Sequence, residues 1–343
     1  MRRLLNVLFV TAQGAYLHRE RESVLVEVDG KTMVRVPVHT LEGVICFGQV
    51  FVSPPAMQLC AERGANISFL SRNGRFWARV QGPVSGNVLL RRAQYRWADD
   101  EERCAAIARA IVIAKISNSR AVLQRYVRSH VSSEGINAVT DAIAHLGELL
   151  KGLKMSQPLA TLRGVEGEAA RRYFDVLRHL ILTQKEGFPF QERTRRPPLD
   201  NMNALLSFVY TLLVHDVSSA LESVGLDPAV GFLHRDRPGR PGLALDLMEE
   251  LRPYIADRLV LSLVNLKQVT PDGFQKTETG AVNMTEETRR LVIRAYQERK
   301  REEITHPFLK EKIQVGLVPY TQALLLARHI RGDMDGYPPF LWR

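Results

Sequence analysis

The stretch Gly231-Phe-Leu-His234-Arg-Asp-Arg-Pro-Gly-Arg-Pro-Gly-Leu-Ala-Leu-Asp246-Leu-Met-Glu249-Glu-Leu-Arg252 brings one histidine and several carboxylates together inside a strongly basic chain. A divalent cation used on phosphodiesters needs oxygen ligands, an occasional imidazole, and open positions for water and substrate. His234 and Glu249 offer two such ligands. Asp246 lies three positions before Glu249, so both carboxylates fall on one face of a helix beginning near Leu243, a candidate cation seat. A third carboxylate has to come from a different helix, and Glu166 in Arg163-Gly-Val-Glu166-Gly-Glu-Ala-Ala-Arg-Arg-Tyr173-Phe174 is the candidate. Gly164 and Gly167 interrupt a helical pattern beside it at about 1 kcal/mol each relative to alanine, which points to close approach of a backbone or a ligand.

The same residues fit a plainer description. Asp246, Glu249 and Glu250 can be the acidic half of an exposed helix, with Arg252 closing an i, i+3 pair. His234 can be a hydrogen-bonded core histidine, and Glu166 can pair with Arg163 at the surface. A His followed fifteen positions later by Glu is no recognised metal signature of the His-Glu-x-x-His kind. Spacing alone favours the plainer description of His234 and Glu166.

Basic residues gather where the helical pattern breaks: Arg193, Arg195 and Arg196 before Pro197-Pro198, and Arg235, Arg237 and Arg240 after His234. Guanidinium groups in loops beside a metal site can clamp phosphates in two-pronged fashion; the alternative is a solvated loop. Arg91, Arg92 and Arg96, interleaved with Tyr95 and Trp97, are a weaker candidate, because an aromatic stripe at helical spacing usually faces a core or an interface. Lys and Arg number 47 against 37 Asp and Glu, a net charge of +10 that favours polyanionic partners through counterion release.

Positioning these residues takes two domains, for which 343 residues suffice. The fold class is α+β, with a small β-rich domain over residues 1–88 followed by a larger, mostly α-helical domain over 89–343. Ser23–Val28 and Thr32–Pro37 alternate around Asp29-Gly30-Lys31, a hairpin signal. Strands follow at Gly43–Phe47 and Gln49–Val52, then a helix capped at Ser53-Pro-Pro and stopped by Gly64, then a strand pair about Arg72-Asn73-Gly74-Arg75. Helical periodicity covers roughly 88–97, 99–130, 133–152, 156–186, 200–224, 242–263 and 284–301, with a small hairpin at Gly273–Val282 and an irregular tail from about Gly332. The opening Met1–Val10 is read as a strand, not a leader peptide, and no other segment is expected to span a membrane. Cys46, Cys60 and Cys104 form no Cys-x-x-Cys pair, so a reducing cytoplasm fits best.

Four segments taken in order carry a resemblance. They are Arg163-Gly-x-Glu166-Gly-x-x-Ala-x-x-Tyr173-Phe174, Asn203-Ala-Leu-Leu-Ser-Phe-x-Tyr210, Gly231-Phe-Leu-His234, and Leu243-Ala-Leu-Asp246-Leu-Met-Glu249-Glu-Leu-Arg-Pro253. Together they resemble the CRISPR-associated spacer-acquisition integrase, the large subunit of the adaptation machinery. Ser68-Phe-Leu-Ser-Arg-Asn-Gly-Arg-Phe76 and Gly86-Asn-Val-Leu-Leu-Arg-Arg92 are similar to the variant of type I, subtype C systems. The resemblance implies that Glu166, His234 and Glu249 bind Mg²⁺ or Mn²⁺, with Asp246 as the neighbouring catalytic carboxylate. It also implies that Arg163 and Tyr210 lie near double-stranded DNA, beside the basic candidates Arg193, Arg195, Arg196, Arg235, Arg237, Arg240 and Arg252. The implied reaction is transesterification, in which a DNA 3′-hydroxyl attacks a phosphodiester of the repeat; with water as nucleophile it becomes nuclease cleavage, branched DNA included. The implied partners are a second copy through the β-domains, a small ferredoxin-like CRISPR subunit and the CRISPR-associated exonuclease. A non-catalytic DNA-binding scaffold is the competing expectation.

Overall fold

The computed structural model describes residues 7–41, 43–72, 76–80, 82, 88–130 and 135–342. The first six residues of the expected opening strand, the centre of the turn at Arg72–Arg75, and Gly86-Asn87 lie outside them. Contacts divide the chain into one unit of Met1–Gly86 with Thr285–Arg301, and a second of Asn87–Met284 with Glu302–Arg343. A single cut at residue 88 differs from this grouping by one element, the helix Glu286–Arg301. That helix groups with the first unit, where the Arg289 guanidinium donates to the Arg72 carbonyl and Arg290 Nε reaches Thr11 Oγ1 at 3.3 Å.

The first unit holds two four-stranded sheets. In one, β2 (Ala15–Glu20), β3 (Ser23–Val28) and β4 (Lys31–Pro37) form an antiparallel meander, and β6 (Val50–Val52) pairs parallel with β2. Asp29 and Gly30 turn β3 into β4 with φ of +51° and +72°, the left-handed pair whose twist suits a two-residue hairpin. The other sheet runs β1 (Val7–Val10), β5 (Gly43–Phe47), β7 (Asn66–Leu70), β8 (Phe76–Val80). Its β5, apolar along its whole length, is buried on both faces. Leu17, Val24, Val44, Cys46, Leu59 and Ile67 contribute to the core, with Leu59 from α1 (Pro54–Glu62), whose N-terminus Ser53 Oγ caps through Ala56 N.

The second unit is helical: α2 (Val88–Ala98), α3 (Glu101–Ser129), α4 (Ile136–Gly152), α5 (Leu159–Leu177), α6 (Asn201–Ser223), α7 (Gly242–Leu251), α8 (Arg258–Asn265) and α10 (Val318–Arg331), α9 being Glu286–Arg301 of the first unit. Two small hairpins, β9–β10 (Phe274–Lys276, Val282–Met284) and β11–β12 (Glu303–Thr305, Lys312–Gln314), complete it. The long α3 packs on α4, α5 and α7, which makes it the spine beneath the candidate site.

Three helical expectations change. The helix expected to run to residue 186 ends at Leu177 and a tight turn to Leu180, because Asn265 takes over its free end: Asn265 Nδ2 donates to Leu180 O and Asn265 Oδ1 accepts from Leu182 N, both at 2.8 Å. The helix expected over 242–263 widens into a π-helical turn at Arg252–Asp257, where Pro253 has no N–H for the regular ladder. The unforeseen α10 starts with Pro319 in its first turn and ends at Gly332, φ +84°.

The tail beyond Gly332 is irregular, as expected, yet held by this chain itself. Tyr337 and Phe340 are buried, and Asn118 of α3 bonds Phe340 O at 2.8 Å and accepts from Trp342 N at 2.8 Å. By length and composition α6 passes as a membrane span, with mean hydropathy 1.5, which corrects the expectation that no such segment exists. Its apolar residues Leu205, Leu206, Leu213 and Val217 are packed inside the protein, as in a core helix.

Candidate metal centre

The site begins with two glycines. A Cβ on Gly242 would stand 2.6 Å from Ala229 O, and one on Gly231 would stand 2.7 Å from the Gly242 carbonyl carbon and 2.8 Å from Asp246 Oδ2. Only glycine at both positions lets the 229–234 loop lie against the start of α7. Asp246, fully buried on α7, then accepts from Phe232 N at 2.6 Å, Leu233 N at 2.9 Å, His234 N at 2.9 Å, and His234 Nδ1 at 2.6 Å.

Asp246 accepts from Nδ1 and so turns the other ring nitrogen, Nε2, away from itself. That nitrogen lies 4.0 Å from Glu249 Oε1. The cation seat expected to include Asp246 is corrected on this point: both of its oxygens are occupied, and its place is behind His234. Arg163, expected near DNA, donates from Nε to Leu233 O at 2.6 Å and so ties α5 to the same loop.

Glu249, one turn along α7, has a side chain 3% exposed, flanked by Arg252 at 2.8 Å from Oε1 and Lys115 at 2.7 Å from Oε2. Burial alone would raise its pKa, but Arg252, Lys115 and His234 outweigh burial and hold the carboxyl down at about 2. Lys115 comes from α3, and its ammonium also pairs with Glu166 Oε1 from α5. Glu166 and Glu249, 83 residues apart in sequence, therefore meet at one buried ammonium, with His234 beside Glu249. Lys115 was missed; its signal was a lone lysine inside the apolar run Ile111-Val-Ile-Ala-Lys115-Ile116.

The other expected DNA contacts divide by exposure. Arg195, Arg196, Arg235 and Arg237 are exposed, and Arg240 is half-buried. Arg193 is held inward by Asn203 Oδ1 at 2.7 Å and Ser207 Oγ at 3.0 Å, and burial lowers its pKa. Its guanidinium and that of Arg252 lie over the Tyr210 ring at 5.4 and 5.0 Å, within cation–π range. Tyr210 spends its hydroxyl on buried Asp257 at 2.6 Å, while burial raises the Asp257 carboxyl to about 6 against the pull of Tyr210, Tyr173, Arg252 and Arg193. As placed, Arg193, Arg252 and Tyr210 brace the floor under Glu249.

Two carboxylates and an imidazole, with no thiolate, form a hard donor set suited to Mg²⁺ or Mn²⁺. Glu249 Oε2 is buried and meets the Lys115 ammonium at 2.7 Å, so it already faces positive charge. Among the described residues no group of three or more His, Cys, Asp or Glu is placed to hold a metal ion on its own. Where Glu166 and Glu249 meet stands the Lys115 ammonium. The residues thus fit a divalent cation in chemistry, and two of them, Glu166 and Glu249, meet at one cationic position. The expectation of a backbone close to Gly164 and Gly167 changes: among the described residues no atom would meet a Cβ within 4 Å at either, so both face open space.

The model of the family "CRISPR associated protein Cas1" matches residues 8–298. The CRISPR-associated endonuclease Cas1 1 of Chlorobaculum tepidum is 52% identical over 343 residues, covering 100% of both chains. A CRISPR-associated exonuclease Cas4/endonuclease Cas1 fusion of Geobacter sulfurreducens is 33% identical over 98% of this chain and 60% of its own length. A solved chain of a Cas6-RT-Cas1–Cas2 complex shares the fold with a TM-score of 0.83 at 23% identity, covering 100% of this chain and 36% of that one. With a family model spanning most of its length and a full-length relative at this identity, the chain belongs to the CRISPR-associated Cas1 family.

Proposed function

We propose that the chain is a metal-dependent DNA integrase and endonuclease of CRISPR adaptation. It joins the 3′-hydroxyl ends of captured double-stranded fragments to the repeat by transesterification, and it cuts DNA, branched forms included, when water takes the place of the hydroxyl. The observation that carries this reading is the meeting of Glu166 and Glu249, from two helices, at one cationic position beside a histidine whose Nδ1 is fixed by Asp246. Mg²⁺ or Mn²⁺ held by Glu166, Glu249 and His234 would supply stabilisation of the charge developing on the phosphodiester. Asp246 holds the His234 ring in place and aims its Nε2. Exposed Arg195, Arg196, Arg235 and Arg237 hold phosphates. No protein nucleophile is required, because the attacking oxygen belongs to DNA or water.

The likeness to a chain of a complex containing Cas2 and to a Cas4 fusion supports a small ferredoxin-like Cas2 subunit and the associated exonuclease as partners. A homodimer through the β-rich unit is supported by its exposed apolar residues: Met33 and Val34 on β4, and Tyr16 paired with Phe51 across β2 and β6. The place of action is the cytoplasm.

Strand joining and disintegration of branched DNA, assayed with Mg²⁺ or Mn²⁺, test the reading. Glu166→Ala and His234→Ala are expected to abolish joining while DNA binding persists; full activity in either variant overturns the ligand assignment. A wild-type chain that binds DNA and neither joins nor cuts it at any metal concentration is the scaffold instead.

A further inference from the structure

We propose that Lys115 is the resident counter-cation of this centre. Its ammonium fills the seat between Glu166 and Glu249 while the divalent cation is away, and it has to leave for that cation to bind. The proposal rests on the metal-centre reading above and adds to it a residue that controls loading.

Lys115 projects from the middle of α3, between Ala114 and Ile116, both fully buried, and its own side chain is 9% exposed. A compact ammonium placed there gives up its hydration, which is tolerable only where anions replace the water. It finds two, Glu166 at 26% and Glu249 at 3% exposure, one from α5 and one from α7. One ammonium bridging carboxylates from two helices occupies the bridging position of a divalent cation with half the charge.

Charge balance gives the arrangement its consequence. Two carboxylates face two monovalent cations, Lys115 and Arg252, so the seat is neutral without metal. A divalent cation entering beside an unmoved Lys115 would leave a buried excess of two positive charges. Withdrawing the ammonium on its flexible four-carbon stem removes one of them, and an arriving DNA phosphate removes the other while offering the lysine a new anion. Loading is thereby coupled to DNA arrival: without DNA, Lys115 competes for the seat and the centre stays idle. Arg252 cannot exchange as freely, because its guanidinium is fixed over the Tyr210 ring.

The test uses the full chain without DNA. Mn²⁺ binding to wild type and Lys115→Met is followed by electron paramagnetic resonance, and acetylation of the Lys115 amine in wild type is followed by mass spectrometry as Mn²⁺ is added. Removal of the competitor is expected to tighten Mn²⁺ binding about tenfold or more. Lys115, protected in the metal-free protein, is expected to become open to acetylation in step with occupancy. Acetylation needs no variant and decides the matter alone if Lys115→Met does not fold. Wild type that binds Mn²⁺ while Lys115 stays as protected as before overturns this proposal and leaves the metal centre intact. An absence of binding in both chains overturns the metal centre, and this proposal with it.

Discussion

Glu249 and Glu250 are neighbours on α7, both fully enclosed, and their protonation runs in opposite directions. Glu249 faces Lys115 and Arg252 and is held ionised, its pKa about 2. Glu250 points the other way, into the C-terminal tail, where it accepts from Tyr337 OH and Phe340 N at 2.7 Å each and from Gln322 Nε2 at 3.1 Å. No ion pair to a cation is recorded for it among the described residues; burial therefore dominates its hydrogen bonds and raises it to about 8. The contrast teaches that enclosure alone does not decide the charge of an acid. Cations keep the first ionised, and their absence makes the second a neutral clasp.

The largest expected break in that contrast is Glu249→Ala. Strand joining should fall on the order of 10³-fold, because an electrostatic element aimed at the reacting charge is lost; a drop of less than tenfold would remove Glu249 from the ligand set. Next comes the sign of the pH response. Glu250 keeps its proton in the folded chain up to about pH 8 but gives it up near 4.5 when unfolded, so its contribution falls as pH rises across that window, on the order of 3 to 5 kcal/mol in all. Glu249 runs the other way, contributing above its unfolded value of 4.5 and losing that contribution as pH falls toward 2. Urea unfolding of wild type and Glu250→Gln at pH 5 and 8.5 should show the variant gaining relative to wild type at the higher pH; parallel curves would falsify the neutral clasp.

A smaller effect is expected of Asp246→Asn, which leaves His234 free to turn and should weaken Mn²⁺ binding roughly 10- to 100-fold with the fold retained. Unchanged affinity would mean that the imidazole is held by something else. Smallest is Tyr210→Phe, which deprives Asp257 of a 2.6 Å hydrogen bond and should cost about 1 kcal/mol in thermal or chemical unfolding. A loss of DNA affinity without a loss of stability would return Tyr210 to the DNA-contacting set.

Legibility from sequence followed the range of the interaction. The Asp29-Gly30 hairpin and the Ser53 cap were readable because a turn or a cap is specified within a few residues. His234, Glu249 and Glu166 were readable as chemical types, and the four-segment resemblance put them in one site. Lys115 was not, because a lysine in an apolar helix registers as an interruption until the two acids from α5 and α7 are seen beside it. The place of Asp246 outside the cation seat was not legible for a related reason. Helical spacing places it on the Glu249 face, while three backbone N–H groups brought in by Gly231 and Gly242 claim its oxygens first. The end of α5 at Leu180 depends on Asn265, 85 residues away, beyond any local rule.

The tail clasp bears on how the protein is made. Asn118 lies one turn beyond Lys115 on α3 and donates to both Glu250 O and Phe340 O, while Phe340 N closes on Glu250 from 90 residues downstream. The helices bearing Lys115 and Glu249 are thus locked together by residues that leave the ribosome long after them. A nascent or proteolytically clipped polypeptide lacking Phe340 keeps the packing of α3 on α7 but loses the two hydrogen bonds that Phe340 adds across that pair of helices.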